Sequence, residues 1–351
     1  MKLYMQRLWA PIILLFLSTT SLNADEFSDY SYYDCEECCH CDRWDVHADA
    51  LFWKVSNPGI PLGSIETFNT QTDLHEFIDT KIVDLDFQWD AGFRLGAGYE
   101  FSCNCVVLDA NWTHFNARAH KNVPNIPIPA DLGLLIEFYS PWTENTLRTP
   151  ISASGRWKMD LDFVDLDLKR EFACTPCFFI EPFIGLRVVS AKQRYNQTIS
   201  GIAEFVGTTV ETNNVSLKTD FTGAGLRAGF DTAYAVGYGL SLYGTGALSL
   251  IYGQFHNHSK LIESYLTTTT TYNQSDRYND CQPITDLAFG IQWNTLFARD
   301  TIGLTLRLGW EQHFFYNFSQ FEPFIQPQQT NRSNRQDICF DGIALSAIVD
   351  F

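Results

Sequence analysis

Gln88 to Phe101 reads QWDAGFRLGAGYEF. Trp89, Ala91, Phe93, Leu95, Ala97, Tyr99 and Phe101 fall on one face of an extended chain, and Gln88, Asp90, Gly92, Arg94, Gly96, Gly98 and Glu100 on the other. Successive side chains of a strand point to opposite faces, so this is strict period-two patterning. It lasts far beyond the roughly five or six residues of a typical soluble strand. One face is wholly apolar and ends in aromatics; the other is glycine or polar. A strand with lipid on one side and a polar barrel interior on the other has this pattern.

The pattern recurs and predicts ten strands. The first covers about 44–55, the second 88–101, the third 106–115 and the fourth 157–172, with a change of parity at Phe163–Val164 that suggests a bulge. The fifth (179–193) turns Ile180, Ile184, Leu186 and Val188 outward, and the sixth (219–235) Ala224, Leu226, Ala228 and Phe230. The seventh (239–254) is too glycine-rich for its faces to be assigned. Leu287, Phe289, Ile291 and Trp293 face out on the eighth, Ile302, Leu304, Leu306, Leu308 and Trp310 on the ninth, and Ile343, Leu345, Ala347, Val349 and Phe351 on the tenth. Long connections (56–87, 117–155, 194–218, 255–283, 318–337) alternate with short ones (102–105, 173–177, 236–239, 298–300). That is the rhythm of a transmembrane antiparallel β-barrel with short periplasmic turns and long extracellular loops.

Composition agrees. In 351 residues there are 41 acidic and 24 basic side chains, a net charge of −17, which excludes nucleic acid as a partner for want of a basic face. Aromatics reach 15%, too many for a disordered chain, and no apolar run reaches the roughly 18 residues of a membrane helix. Residues 1–24 read as a signal peptide: basic Lys2 and Arg7, an apolar Leu8–Leu17, then small residues to Ala24. A Cys-rich periplasmic segment is expected over 25–43 and the barrel over 44–351. The alternating last strand ends on Phe351, the terminal aromatic that barrel-assembly machinery reads.

Export makes the ten cysteines disulfide candidates. Cys35, Cys38, Cys39 and Cys41 crowd into CEECCHC, Cys103 and Cys105 lie in the first short turn, and Cys174 and Cys177 in the second. Cys281 and Cys339 stand at outer strand ends, where a loop-to-loop bridge is expected. The N-terminal cluster with His40 lacks the paired ligand spacing of a structural zinc site, so no metal is assigned to it. Cross-links to neighbouring barrels and to Cys-rich envelope proteins are the expectation, and a homo-oligomer is compatible with them.

Parity nominates the lumen residues: His47, Asp49, Arg94, Glu100, Asp109, Glu181, Arg187, Arg227, Asp231, Asp286, Arg307, Glu311 and His313. Both signs of charge share one face. That suits a polar eyelet which selects solutes, and equally a salt-bridged core filling a narrow barrel. Asp73, His75, Asp79, Asp84 and Asp86 in the first long loop imitate the acidic and histidine rim of an outer-membrane protease, but an acidic surface loop is the simpler reading. No GxSxG, HExxH or P-loop occurs. Neither enzymatic activity nor a cofactor is expected.

Several stretches resemble the Legionella-type major outer membrane proteins, pore-forming proteins that also occur as porins in environmental chlamydiae. They are DALFWK (Asp49–Lys54), LGAGYEF (Leu95–Phe101), DLDLKREF (Asp165–Phe172), EPFIGLRV (Glu181–Val188), RLGWEQHFF (Arg307–Phe315) and DGIALSAIVDF (Asp341–Phe351). They keep their order over nearly the whole chain. The resemblance implies an integral outer-membrane barrel with porin-like passive diffusion of small hydrophilic solutes and ion transport. CEECCHC departs from the Legionella pattern toward the disulfide-rich envelopes of chlamydiae. The alternative is a non-conducting structural or adhesin barrel whose long loops bind host or envelope partners.

Overall fold

The computed structural model describes residues 43–56, 60–69, 76–101, 106–124, 126, 134–143, 147–148, 150–175, 177–202, 210–265, 268–297, 302–321, 324 and 336–351. The signal-peptide stretch, the CEECCHC cluster, Cys103, Cys105, Asp73 and His75 lie outside them. Among the described residues sixteen strands follow in order: β1 (Arg43–Ser56), β2 (Pro61–Asn69), β3 (Glu76–Asp84), β4 (Asp86–Phe87), β5 (Trp89–Phe101), β6 (Val106–Val123), β7 (Leu134–Tyr139), β8 (Leu147–Arg148), β9 (Pro150–Arg170), β10 (Phe172–Thr175), β11 (Phe178–Ile202), β12 (Val210–Gly237), β13 (Leu240–Tyr265), β14 (Thr268–Phe297), β15 (Ile302–Ser319) and β16 (Gln336–Asp350).

Ten of them form an antiparallel ring. The path runs β1, β5, β6, β9, β11, β12, β13, β14, β15, β16, and β16 pairs back with β1. At the seam Trp44 N–H donates to the Phe351 carbonyl at 3.0 Å and Phe351 N–H to the Trp44 carbonyl at 2.9 Å. Both ends of the ring path therefore meet at the short-turn end. The turn from β12 to β13 shows why it is tight. Tyr238 and Gly239 both hold positive φ (55° and 77°), the two-residue geometry that matches the twist of paired strands.

The outside is apolar in a band. Ile184, Leu226, Leu248 and Phe289 are each more than 60% exposed, with the expected outward residues of the other strands beside them. Such a continuous exposed apolar surface is the inverse of a soluble protein's. Aromatics border it: Trp44 packs on Tyr99 (4.6 Å between centroids) at the turn end, and Trp89 on Trp310 (6.0 Å) at the other. On β13 the structure settles the faces that glycine obscures: Leu242, Leu248, Leu250 and Tyr252 point out, and Thr245, Ala247, Ser249 and Ile251 point in.

Two expectations need correction. The connections 117–155, 194–218 and 255–283 are largely strand, because β6, β9 and β11 to β14 run on beyond the apolar band. And β9 has no bulge at Phe163–Val164. Its pairing with β6 and β11 passes through both residues without a register shift. What changes there is chemistry rather than parity. Inward residues go from Trp157, Met159, Leu161 and Phe163 to Asp165, Asp167 and Lys169, while outward ones go from Arg156, Lys158, Asp160 and Asp162 to Val164, Leu166 and Leu168. The strand crosses from water into lipid, and its apolar face changes sides.

The ring's circumference is uneven. β9 and β11–β14 are 21 to 30 residues long, whereas β1 and β5 are 14 and 13. Beyond the membrane the first two long connections supply a small sheet, ordered β3-β2-β7-β8. Leu62, Val83, Ile126 and Phe138 pack there with Ala153 and Ile199 of the tall wall.

Candidate lumen site

All thirteen lumen residues named from parity line one cavity of about 380 Å³. It reaches the turn end at Arg43, Glu100 and Asp350. Asp45, Asp165, Asp167, Lys169 and Asn111 join the lining, and sequence reasoning passed over them. The supposed bulge in β9 hid Asp165, Asp167 and Lys169. A reading of β9 as one unbroken alternation would have found them.

The charges are organised in layers. Arg187, fully buried on β11, grips Asp165 of β9 in two parallel hydrogen bonds (Nε to Oδ1 2.6 Å, an Nη to Oδ2 2.7 Å) and reaches Asp286 of β14 at 2.7 Å. Asp286 also holds His313 Nδ1 at 2.7 Å. Arg94 makes a forked pair with Glu311 (3.0 and 2.9 Å) and bonds Asp49 at 2.9 Å. Lys169 bridges Asp109 and Asp231, each at 3.1 Å, and Arg227 pairs with Asp167. Arg307 donates to Gln292 at 3.1 Å. Glu181 lines the cavity beside these pairs. Bidentate, charge-assisted bonds of this kind are the strong ones, and each lost partner strands a buried charge.

Glycines make the packing possible. His47 lies across Gly96 to meet the Asn111 amide oxygen, and a Cβ at Gly96 would collide with the His47 ring. Asp45, His47 and Asp109 bring potential ligand atoms within 4.8 Å of one another. Lys169 already neutralises Asp109, so the structure supplies no separate case for a metal there.

Above the ionic layer the lumen turns apolar. Phe163 of β9 and His313 of β15 stand on opposite sides of the ring, yet their rings are 6.1 Å apart. Trp53 packs at a tilt against His313 at 4.7 Å and against Phe115 at 5.1 Å. Phe315, Phe340, Phe221, Phe255 and Phe318 continue the layer upward. Trp142 and Phe321, from the long connections, close over it beside Tyr195. Above the cavity, side chains meet from wall to wall.

The cysteines that can be placed are free thiols: Cys177 and Cys281 exposed, Cys339 half-buried. The expected Cys281–Cys339 bridge is not formed, since β15 lies between their strands. Two strand spacings amount to about 10 Å, beyond the roughly 7 Å that a disulfide spans. In the first long loop Asp79 and Asp84 are exposed, and Asp86 pairs with Lys121 at 3.0 Å.

A ring with lipid outside and ion pairs inside defines an integral outer-membrane β-barrel. The chain belongs to the Legionella pneumophila major outer membrane protein family, whose model matches residues 37–351. Among solved structures it is similar to the outer membrane protease OmpT of Escherichia coli, at 11% identity over 88% of this chain and 96% of that one, with a TM-score of 0.40. It is also similar to a Pseudomonas aeruginosa FadL homologue, at 5% identity over 88% and 90%, with a TM-score of 0.24. No curated protein matches.

Proposed function

We propose that the barrel is a channel for passive diffusion of small hydrophilic solutes, shut in the conformation described, and that it is not an enzyme. The observation that carries this is the graded lumen. A charge-lined cavity opens at the turn end and stops against an aromatic layer partly built from loop residues Trp142 and Phe321. Hydrophobic constrictions gate pores by excluding water, and rings of charge select ions. Carboxylates outnumber Lys and Arg around the cavity, which favours cations. In planar bilayers the refolded protein is expected to give stepwise, cation-preferring conductance, with longer openings in Trp142→Ala/Phe321→Ala. Silence of both proteins would overturn the reading. The wall-to-wall contact of Phe163 with His313 favours a second one, a non-conducting barrel whose loops bind partners; folded but silent protein would support it.

Disulfide cross-linking of the envelope is the other part of the proposal. Cys177 is exposed at the turn end, on the oxidising periplasmic side. Non-reducing gels of intact envelopes should show high-mass species that collapse with thiol reductant. Ser at Cys35, Cys38, Cys39 and Cys41 should remove most of them.

A further inference from the structure

We propose that the tall wall carries a binding site for the anionic saccharide head group of an outer-leaflet glycolipid. Arg118, Lys158, Arg194, Lys218 and His258 sit directly opposite one another across β6, β9, β11, β12 and β13. All five are exposed on the outward face. The next row outward holds His120, Arg156, Asn196, Ser216 and Lys260 in the same register. Asp86 of β4 stands opposite His120 at the edge of the second row, and on these five strands neither row contains a carboxylate. In a chain of net charge −17 this is the opposite of the prevailing sign. Like charges facing each other across strands destabilise a sheet. Arg118, Lys158, Arg194 and Lys218 enter no ion pair among the described residues to offset that.

The place of the rows selects the partner. They share parity with the lipid-facing positions of the same strands, so they look sideways along the membrane rather than up from the rim. The last apolar row on this wall is Trp112, Val164, Val188, Ala224 and Tyr252. The first basic row lies six residues further along β6, about 15 Å higher for strands tilted near 40°. Two rows lie between them and carry three carboxylates, Asp162, Asp160 and Asp220, to one lysine, Lys192. Acyl chains end below this level, and phosphorylated sugars of a large glycolipid stand at it. The row is about 19 Å wide, and arginine's planar fork suits phosphate and carboxylate oxygens.

The test uses the full barrel in liposomes that contain either lipopolysaccharide or phosphatidylcholine alone. The barrel is extracted in mild detergent and its retained lipopolysaccharide counted by native mass spectrometry. Wild type should retain lipopolysaccharide, and R118Q/K158Q/R194Q/K218Q should retain at least about tenfold less, a loss also produced by enzymatic dephosphorylation of the lipopolysaccharide. K158R/K218R should retain it as wild type does. Heat-modifiable migration on gels reports that each barrel is folded; R194Q and K218Q, measured singly, serve if the quadruple variant is not. Equal retention by wild type and the glutamine variants would overturn the proposal. So would capture of soluble heparin as tight as that of the lipid, which would assign the rows to a free polyanion.

Discussion

The lower and upper halves of the lumen are built from the same strands in the same parity, yet they share no chemistry. On β9 the inward positions are Asp165, Asp167 and Lys169 below and Trp157, Met159, Leu161 and Phe163 above. The outward positions change the opposite way. Within the bilayer, lipid takes the apolar face and the interior holds paired charge; beyond it, water takes the polar face and the interior packs like an ordinary soluble core. One continuous strand thus obeys two burial rules, and the switch lies where the membrane ends.

The largest effect should come from the ionic half. Asp286→Ala removes one of the two carboxylates that hold Arg187 and also releases His313. It should cost about 3–5 kcal/mol, read as a lower denaturant midpoint of the barrel in micelles. A loss below about 1 kcal/mol would mean that this layer is not desolvated. Next is the outer face, where the same residue should behave in two ways. Leu226→Arg in the apolar band should cost about 2–4 kcal/mol, whereas Asn196→Arg, outward on the tall wall, should cost no more than about 1 kcal/mol even opposite Arg156. Equal costs would place the membrane boundary wrongly. The smallest sharpens the upper half: Ile251→Val, fully buried in the aromatic layer, should cost about 0.5–1.5 kcal/mol. Raising the salt should leave that loss unchanged, because dispersion and hydrophobic burial carry it.

Where lipid and lumen make opposite demands, the pattern is legible residue by residue. Ile184, Leu226, Phe289 and Leu306 point outward as alternation requires, and parity alone named thirteen residues of the cavity, among them His47 and His313. Legibility failed where the environment changed along a strand. The inversion on β9 mimicked a bulge and concealed Asp165, Asp167 and Lys169. Above the membrane, polar outward runs such as Arg194, Asn196 and Thr198 looked like loop. On β13, glycines left too few side chains for a pattern.

The sequence by itself determined that the chain forms a barrel of ten membrane-crossing strands with tight turns at one end. Those properties follow from local alternation and turn chemistry, which each segment carries alone. Only the tertiary structure decided that Arg187 finds Asp165 and Asp286, that Phe163 meets His313 across the ring, and that five basic side chains align on neighbouring strands. Such contacts depend on strand register and on the diameter of the ring. Both are set collectively by strands far apart in the chain, so no single segment encodes them.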